Sequence, residues 1–592
     1  MELILVLFLF GTSCYVNASF RDSYCNFKQV DEELTCSKMQ SIDDINKETH
    51  GLKHEDLKSL ILTDFNTPNL VLSKLFILPH LSELSTKFSN IHKLSSETVR
   101  DESILMKHLD LSSSNLQEIY PHTFKDFQEL EILNVGNNKL FSLNKNVFSG
   151  LTNLKKLVLY RNKIKIIPSN LFDNLVTLEI LDLDNNDIYT LDYDSFKSLR
   201  NLKHLNISNN ELTEVPTDIF RSLSQLIELR LEHNNISAIH KDAFNLLDAL
   251  KYLHLSKNYF TMIDCNAFTK LNAIEQFYLS SSGIKVLDHN CFSDMTNLNE
   301  IDVSFNYFTD IPPLSRHIKI LAIYGNRITR LPRRVFFKYT NLEKLFLQNN
   351  EIHEIEYRAF KGLSRLTELF LFGNKLSHCE TGVFKNLNNL KVLNLSFNKL
   401  ERIAYELFTL PSLEKLYLVS NKLKVLNNNS FSNLLNLQEL YLSYNRIDSL
   451  PNRMFTNLKS LILLKLDHNN IDYLQNGCFS GLEKLQVLVL SSNNIINIHH
   501  KVFAGLASVK FIDFANNKLQ FIDGETFQAL PKLKILNLDN NEIFNLMLNE
   551  LKNVPNLKYI GLNGNFLEDS VLEQFYSHYH NYHTSTLQNL LD

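Results

Sequence analysis

Tryptophan is missing from the 592 residues, and glycine and proline are scarce, at 15 and 12. So little of either leaves no flexible or stiff linkers between separate domains, and one continuous body is expected. Charge of one sign is not in excess: 60 Lys and Arg stand against 65 Asp and Glu, for a net charge of −5. That balance offers nothing to neutralise phosphates, so nucleic acid is not an expected partner. No later stretch reaches the roughly 18 uninterrupted apolar residues of a membrane span. The chain ends in Leu590, Leu591 and Asp592 without a hydrophobic tail, so no membrane anchor is expected. Nucleophile elbow, P-loop and H-E-x-x-H motifs are all absent. His499-His500 and the triplet His578, His580 and His583 lack the carboxylate or Cys companions of a zinc site. Isolated Asp and Glu read as solvated surface. Neither catalysis, nor a cofactor, nor a metal is expected.

What is present begins with an apolar run, Leu3 to Phe10, followed by the small-residue cleavage site Val16-Asn17-Ala18. The run is too short to cross a bilayer and matches a secretory signal over residues 1–18, although Glu2 stands where a positive charge is usual. Cys14 would leave with it. The mature product is expected to be soluble, secreted and extracellular.

A period of 24 residues dominates the rest. LNVGNNKL (133–140), LVLYRNKI (157–164), LDLDNNDI (181–188) and LNISNNEL (205–212) repeat one template whose sixth position is usually Asn. From Ser114 to Asn565 there are 19 steps, of which 17 are 24 residues long, one is 20 and one is 23. Weaker units precede them, around Leu60-Ile61-Leu62 and Leu84-Ser85-Thr86. About 22 repeats follow, stacked as one architecture. In L-x-L the two leucines point inward and the residue between them outward, as in a strand. Neighbouring coils then pair these strands in parallel. The Asn turns inward, where its amide can satisfy backbone groups left by the tight bend, and Ser114 and Ser282 can do part of this.

A second column lies fourteen residues before most ladder positions. It holds Phe at 124, 148, 172, 196, 220, 244, 268 and 292, and again at 336, 360, 384, 408, 431, 455, 479, 503 and 527. An aromatic ring fills the wide gap between the sheet and the outer wall, and successive rings can stack as a spine. These are core residues.

The pattern L-x-x-L-x-L-x-x-N-x-L, with Phe ten residues after the Asn, resembles the 24-residue typical leucine-rich repeats of animal extracellular proteins over residues 57–568. The resemblance implies an α/β solenoid: a leucine-rich repeat horseshoe with a concave parallel β-sheet and an irregular or 3₁₀ convex side. Length, secretion and lack of an anchor are similar to the acid-labile subunit of the insulin-like growth factor complex, to secreted insect immune repeat proteins and to Toll-type ectodomains. Residues 19–56 then form an N-terminal cap, and 569–592 a helical C-terminal cap and tail. The disulfide-rich C-terminal cap common in this family is absent, since no cysteine follows Cys478.

Departures from the period are few. The 20-residue step, 306–326, lacks a spine Phe and carries Pro312-Pro313, so a shorter extended crossing and a local change of curvature are expected there. In an oxidising compartment Cys25 and Cys36 are expected to staple the N-terminal cap. Cys379, Cys291 and Cys478 should be buried. Cys265 falls on a more exposed column, and its two-residue offset from Cys291 strains a bridge between them. Val571, Leu572, Phe575 and Tyr579 share one face of a short amphipathic helix after Asp569-Ser570. Beyond it the segment from His580 reads as a disordered tail or as a contact for a second chain.

In the mature part four N-x-S/T sequons mark Asn206, Asn235, Asn394 and Asn428 for glycosylation. Asn206 and Asn394 lie between the two leucines of their strands and should point from the sheet. The same outward columns present Asp182, Asp184, Arg230 and Glu232 in early coils. From 305 to 444 they turn aromatic: Phe305, Tyr324, Phe346, Phe370, Phe372, Phe397, Tyr417, Tyr441 and Tyr444. A contiguous aromatic face suits ligand binding, although rings on neighbouring strands also pack on one another. The expected function is a secreted protein-binding scaffold or carrier for an extracellular protein ligand. The alternatives are an innate-immune factor binding microbial glycan or lipid, and a matrix or adhesion protein whose contacts spread along the whole face, which self-association into a homo-oligomer would mark.

Overall fold

The computed structural model describes residues 25–582, apart from 30, 49–56, 79, 87, 97–104, 261, 290, 293, 405, 523–524 and 552–553. The expected signal segment, the end of the tail (583–592) and His583 lie outside the described residues. The chain is a parallel β-solenoid of about 22 turns with little helix. It divides into two compact units, Met1–Leu212 with Ile219–Leu226, and Thr213–Asp218 with Ile227–Asp592.

The first unit opens with an antiparallel hairpin, Cys25–Lys28 against Glu33–Ser37, in which Cys25 and Cys36 are register partners joined through their sulfurs. A short helix, Ile42–Glu48, follows; the Ser41 N–H donates to Asp44 Oδ2 at 3.1 Å, which satisfies a donor at its start. Glu33–Ser37 then pairs in parallel with Ser59–Thr63, and a ladder continues through Glu83–Ser85, His108–Asp110, Ile132–Asn134, Lys156–Val158, Ile180–Asp182 and His204–Asn206. The outer wall is not wholly irregular. Asn66–Val71, Asn90–Ser95 and Glu118–Ile119 form a second small parallel sheet, and Ile166–Ile167 pairs with Thr190–Leu191.

In the second unit the ladder runs from Glu228–Arg230 through Tyr252–His254 to Tyr559–Gly561. The short coil does not interrupt it: Glu300–Asp302, Ile320–Ala322 and Lys344–Phe346 pair in register. The boundary between compact units falls at 212–227 instead. Where the spine ring is missing, the Pro312-Pro313 crossing is bolted down by the next coil. Tyr339 Oη donates to Pro312 O at 3.3 Å and accepts from Leu314 N at 3.3 Å, while Ser315 Oγ donates to Met295 O at 3.0 Å.

The two columns of the template repeat the same contacts in most coils. Asn350 is representative: its Nδ2 donates to Leu347 O in its own coil (3.1 Å) and to Ile323 O in the preceding one (3.0 Å), while Oδ1 accepts from Ile328 N (3.2 Å). One amide thus ties two coils. The spine rings are buried and stack, with centroids 6.2 Å apart for Phe148–Phe172 and 5.8 Å for Phe336–Phe360.

Three cysteines expected inside, Cys291, Cys379 and Cys478, are buried, and so is Cys265, against expectation. Cys265 begins the 3₁₀ turn Cys265–Phe268, its Cα lies 4.6 Å from that of Cys291, and the two are bridged despite their two-residue offset. The C-terminal helix spans Asp569–His578 and buries Phe575, with Tyr579 buried just beyond it. The residues after it are not a loose tail at their start. His580–Asn581 adds a parallel strand to Tyr559–Gly561, which covers an open sheet edge. Tyr582 packs with Val487, Phe511 and Ile535.

Candidate functional site

The strand geometry sorts the nine aromatic residues into three outward columns, all within the second unit. In the strand column the register runs Phe346, Phe370, Asn394, Tyr417, Tyr441 and then Lys465. Tyr324 and Phe372 stand two residues further along their coils, on the same face. Phe305, Phe397 and Tyr444 belong to neither position. They occupy the turn residue just before the ladder Asn, which takes a left-handed conformation in every coil from Ser113 to Gly564, with φ between 49° and 71°. That conformation is rare for bulky side chains. Only the recurrence of Asn and Gly at this position hinted at it. The three rings are 53%, 59% and 52% exposed, whereas the four strand-column rings are half-buried.

The rings are mostly paired. Phe346 and Phe370 stack with centroids 5.0 Å apart and planes 7° from parallel; Tyr417 and Tyr441 stack at 4.5 Å and 13°. Phe305 meets Tyr324 edge-on at 5.1 Å, and Tyr444 stacks on His468 at 4.0 Å. Phe305 reaches its place only because the next turn residue is Gly325: a Cβ there would fall 2.5 Å from Phe305 Cδ1. Stacking across strands, with separations close to the strand spacing, turns ring edges to solvent and ring faces to each other.

Two residues before each strand-column ring, on the same face, lies a charged row. Lys344 pairs with Glu368 at 2.9 Å beside the phenylalanines, and Lys415 with Glu439 at 2.8 Å beside the tyrosines. The site is therefore built twice: K-L-F and E-L-F on one pair of coils, K-L-Y and E-L-Y on another. Tyr441 Oη donates to Glu439 at 2.9 Å; burial and this carboxylate push the phenol above its ordinary range, and burial does the same to Tyr417. The charged row then becomes apolar, through Leu463, Val487, Phe511 and Ile535, where Tyr582 covers it.

Between the two modules lies the coil Val392–Asn394. Asn394 sits in register between Phe370 and Tyr417, half-buried, with Oδ1 accepting from Ser396 N at 3.0 Å. Asn206 holds the same position in the first unit, where Ser208 N and Ser208 Oγ donate to it at 3.0 and 2.6 Å. Asn235 and Asn428 are exposed on turns. Among the described residues no group of three His, Cys, Asp or Glu is placed to hold a metal ion, and no helix is long and apolar enough to cross a membrane. His499 and His500 lie ring to ring at 4.2 Å, and His580 rests on Tyr559 at 5.3 Å.

Comparison with known proteins bears on this geometry. The leucine-rich repeat family model matches nine times, over 79–140, 128–188, 176–236, 224–284, 316–376, 373–423, 411–471, 461–519 and 512–567. The gap at 285–315 contains the Pro312-Pro313 crossing. Toll-like receptor 3 of Boselaphus tragocamelus is 34% identical over 138 residues, 22% of this chain and 15% of that protein. Mouse podocan is 41% identical over 63 residues, 10% of each chain. The chain thus matches only a small part of these relatives' length. The structure of the Toll–Spatzle complex, a molecular hub in Drosophila development and innate immunity, superposes with a TM-score of 0.64 at 20% identity, covering 86% of this chain and 64% of that one. At that identity the likeness shows the fold alone.

Proposed function

The chain belongs to the leucine-rich repeat family, and on that premise we propose that it is an extracellular binding scaffold that takes a protein ligand on the aromatic face of its second unit. The observation that carries the reading is the duplicated module: two stacked ring pairs, each bordered by an ion pair in register. Half-buried aromatics held rigid by their neighbours offer contact area at low entropic cost, as in binding hot spots, and the flanking charges supply orientation. Phe305, Phe397 and Tyr444, projecting from the turns, extend that surface. The similarity to Toll-like receptor 3 supports a recognition role at this coarse level. Asn235 and Asn428 are exposed enough to carry glycans freely; one on Asn394 would stand between the two modules and divide the face.

A second reading, recognition of a microbial glycan or lipid, draws on the same aromatic face, since sugars also stack on aromatic rings. It fits the ring geometry less well, because sugars stack on ring faces and the paired rings present edges. The test is capture of partners from the native extracellular fluid by wild-type protein and by a variant carrying Phe346→Ser, Phe370→Ser, Tyr417→Ser and Tyr441→Ser, with circular dichroism to show both folded. A protein bound by wild type and lost by the folded variant supports the scaffold reading. Identical capture by both removes the aromatic face from consideration. Loss of glycan-array binding in place of protein capture supports the second reading.

A further inference from the structure

The chain as a whole is acidic, but residues 316–365 hold eleven Lys and Arg against four Glu and no Asp, a net +7 in a protein of net −5. The coils place much of this charge together on the outer turns, away from the sheet. Arg334 and Arg358 occupy equivalent turn positions of successive coils, both with left-handed backbones (φ 61° and 64°), linked by a hydrogen bond from Arg334 N to Arg358 O at 3.1 Å. Two exposed rings stand among them. Phe337 has the Arg334 guanidinium and the Lys361 ammonium each 6.0 Å from its centroid, and Tyr357 has Arg358 at 5.0 Å.

The cations are not neutralised. Elsewhere on the coils lysines and glutamates pair across neighbouring turns, as Lys155 with Glu131 and Lys203 with Glu179 at 2.8 Å. Among the described residues Arg333, Arg334, Arg358, Lys361 and Lys385 form no ion pair. The Glu356 carboxylate accepts from the Arg333 backbone N–H at 2.9 Å, and Glu354 is the register partner of Arg330 across the short outer strands, with no ion pair between them. The field is felt locally: Arg358 first, then Lys385 and Arg333, hold the Tyr357 phenol below its ordinary range. Like charges on adjacent coils repel, and their attraction to an external polyanion would offset that cost.

We propose that the outer turns bearing Arg333, Arg334, Arg358, Lys361 and Lys385 form a binding surface for a sulfated polysaccharide. Guanidinium forks match tetrahedral oxyanions, and charges repeated at the coil spacing suit a polymer with repeated anionic groups better than a single ion. Single-stranded nucleic acid fits less well, because cations already stand over Phe337 and Tyr357, the two rings on which bases would stack. Two bridged cysteine pairs also place the chain in an oxidising compartment, where glycans rather than nucleic acids are the accessible polyanions. This surface is independent of the aromatic face, and the variants that test each do not overlap.

The experiment is binding of a heparin octasaccharide to the full chain at about 0.15 M salt. Three proteins are compared: wild type; Arg333→Gln with Lys361→Gln and Lys385→Gln; and a control with Lys510→Gln, Lys534→Gln and Lys558→Gln. The patch variant is expected to bind about ten-fold more weakly and the control to change less than about two-fold. Footprinting by lysine acetylation on wild-type protein gives an answer even should the variant misfold: Lys361 and Lys385 should be protected by the octasaccharide and Lys510 should not. No binding by wild type, equal loss in both variants, or equal protection at all three lysines would overturn the proposal. Tighter binding of an oligothymidylate of matched charge would overturn the polysaccharide assignment and point to nucleic acid.

Discussion

Phe346 and Phe370 lie on adjacent strands, ring to ring at 5.0 Å, with the Lys344–Glu368 ion pair spanning the same two strands beside them at 2.9 Å. Hydrophobic contact and charge pairing therefore act on the same pair of coils, and the residues that would meet a ligand also stiffen the surface that presents it.

That pairing has a measurable strength. A double-mutant cycle with Phe346→Ala and Phe370→Ala should show a coupling of about 0.5–1.5 kcal/mol in urea-unfolding free energy. Strict additivity would mean that the rings stand side by side without holding each other.

The ladder amides carry more. Asn350 is buried and makes hydrogen bonds to Ile323 O, Leu347 O and Ile328 N, so Asn350→Ala leaves backbone groups of two coils unsatisfied and should cost about 2–4 kcal/mol. Asn350→Ser should cost less, since a hydroxyl keeps part of the set, as at Ser282, whose single O–H lies within donating reach of Ser280 O at 3.0 Å and Leu255 O at 3.3 Å. Equal losses for the two substitutions, measured by denaturant midpoint, would contradict the bridging role.

Gly325 meets two demands at once, a φ of +66° and the Phe305 ring where its Cβ would stand. Gly325→Ala should destabilise by about 1–3 kcal/mol. In a Phe305→Ser background the same substitution should cost less, because only the backbone strain remains. An unchanged cost in that background would show that the ring moves freely aside.

Asp513 lies among Asp467 and Asp539 with Tyr582 close by. Burial first, then those two carboxylates, raises its pKa above the ordinary 3.8, against hydrogen bonds from Ala515 and Ser491. A raised carboxyl pKa means that the folded state prefers the neutral form. Its contribution to stability is complete below the unfolded pKa and is lost as pH rises through the folded value. Asp513→Asn, which keeps an acceptor for the Ala515 N–H, should therefore raise the melting temperature at pH 7 and bring no gain at about pH 3. A melting temperature that falls at both pH values would show that hydrogen bonding, not charge burial, governs the residue.

How much of this was legible in the chain differs from feature to feature. The 24-residue period, the inward leucines, the Asn ladder and the Phe spine are local rules repeated in every coil, so position in the period alone determines the environment of Leu345, Asn350 or Phe360. The aromatic columns were legible for the same reason, as was the helix that buries Phe575. Other features depend on residues that the period keeps apart. The left-handed turn at Phe305, Phe397 and Tyr444 is a demand of backbone closure and not of side-chain identity. The Cys265–Cys291 bridge joins neighbouring coils at positions two residues out of register. His580–Tyr582 became a strand and a plug because a sheet edge and an apolar strip stood open to receive them. The arginines of the outer turns vanish in a net charge of −5, since composition averages over a chain whereas an electrostatic field sums over neighbours. The sequence by itself determined the coil and its repetition, because both are short-range. Only the tertiary structure decided which side chains of different coils meet, because stacking brings within about 5 Å residues that lie a full period apart along the chain.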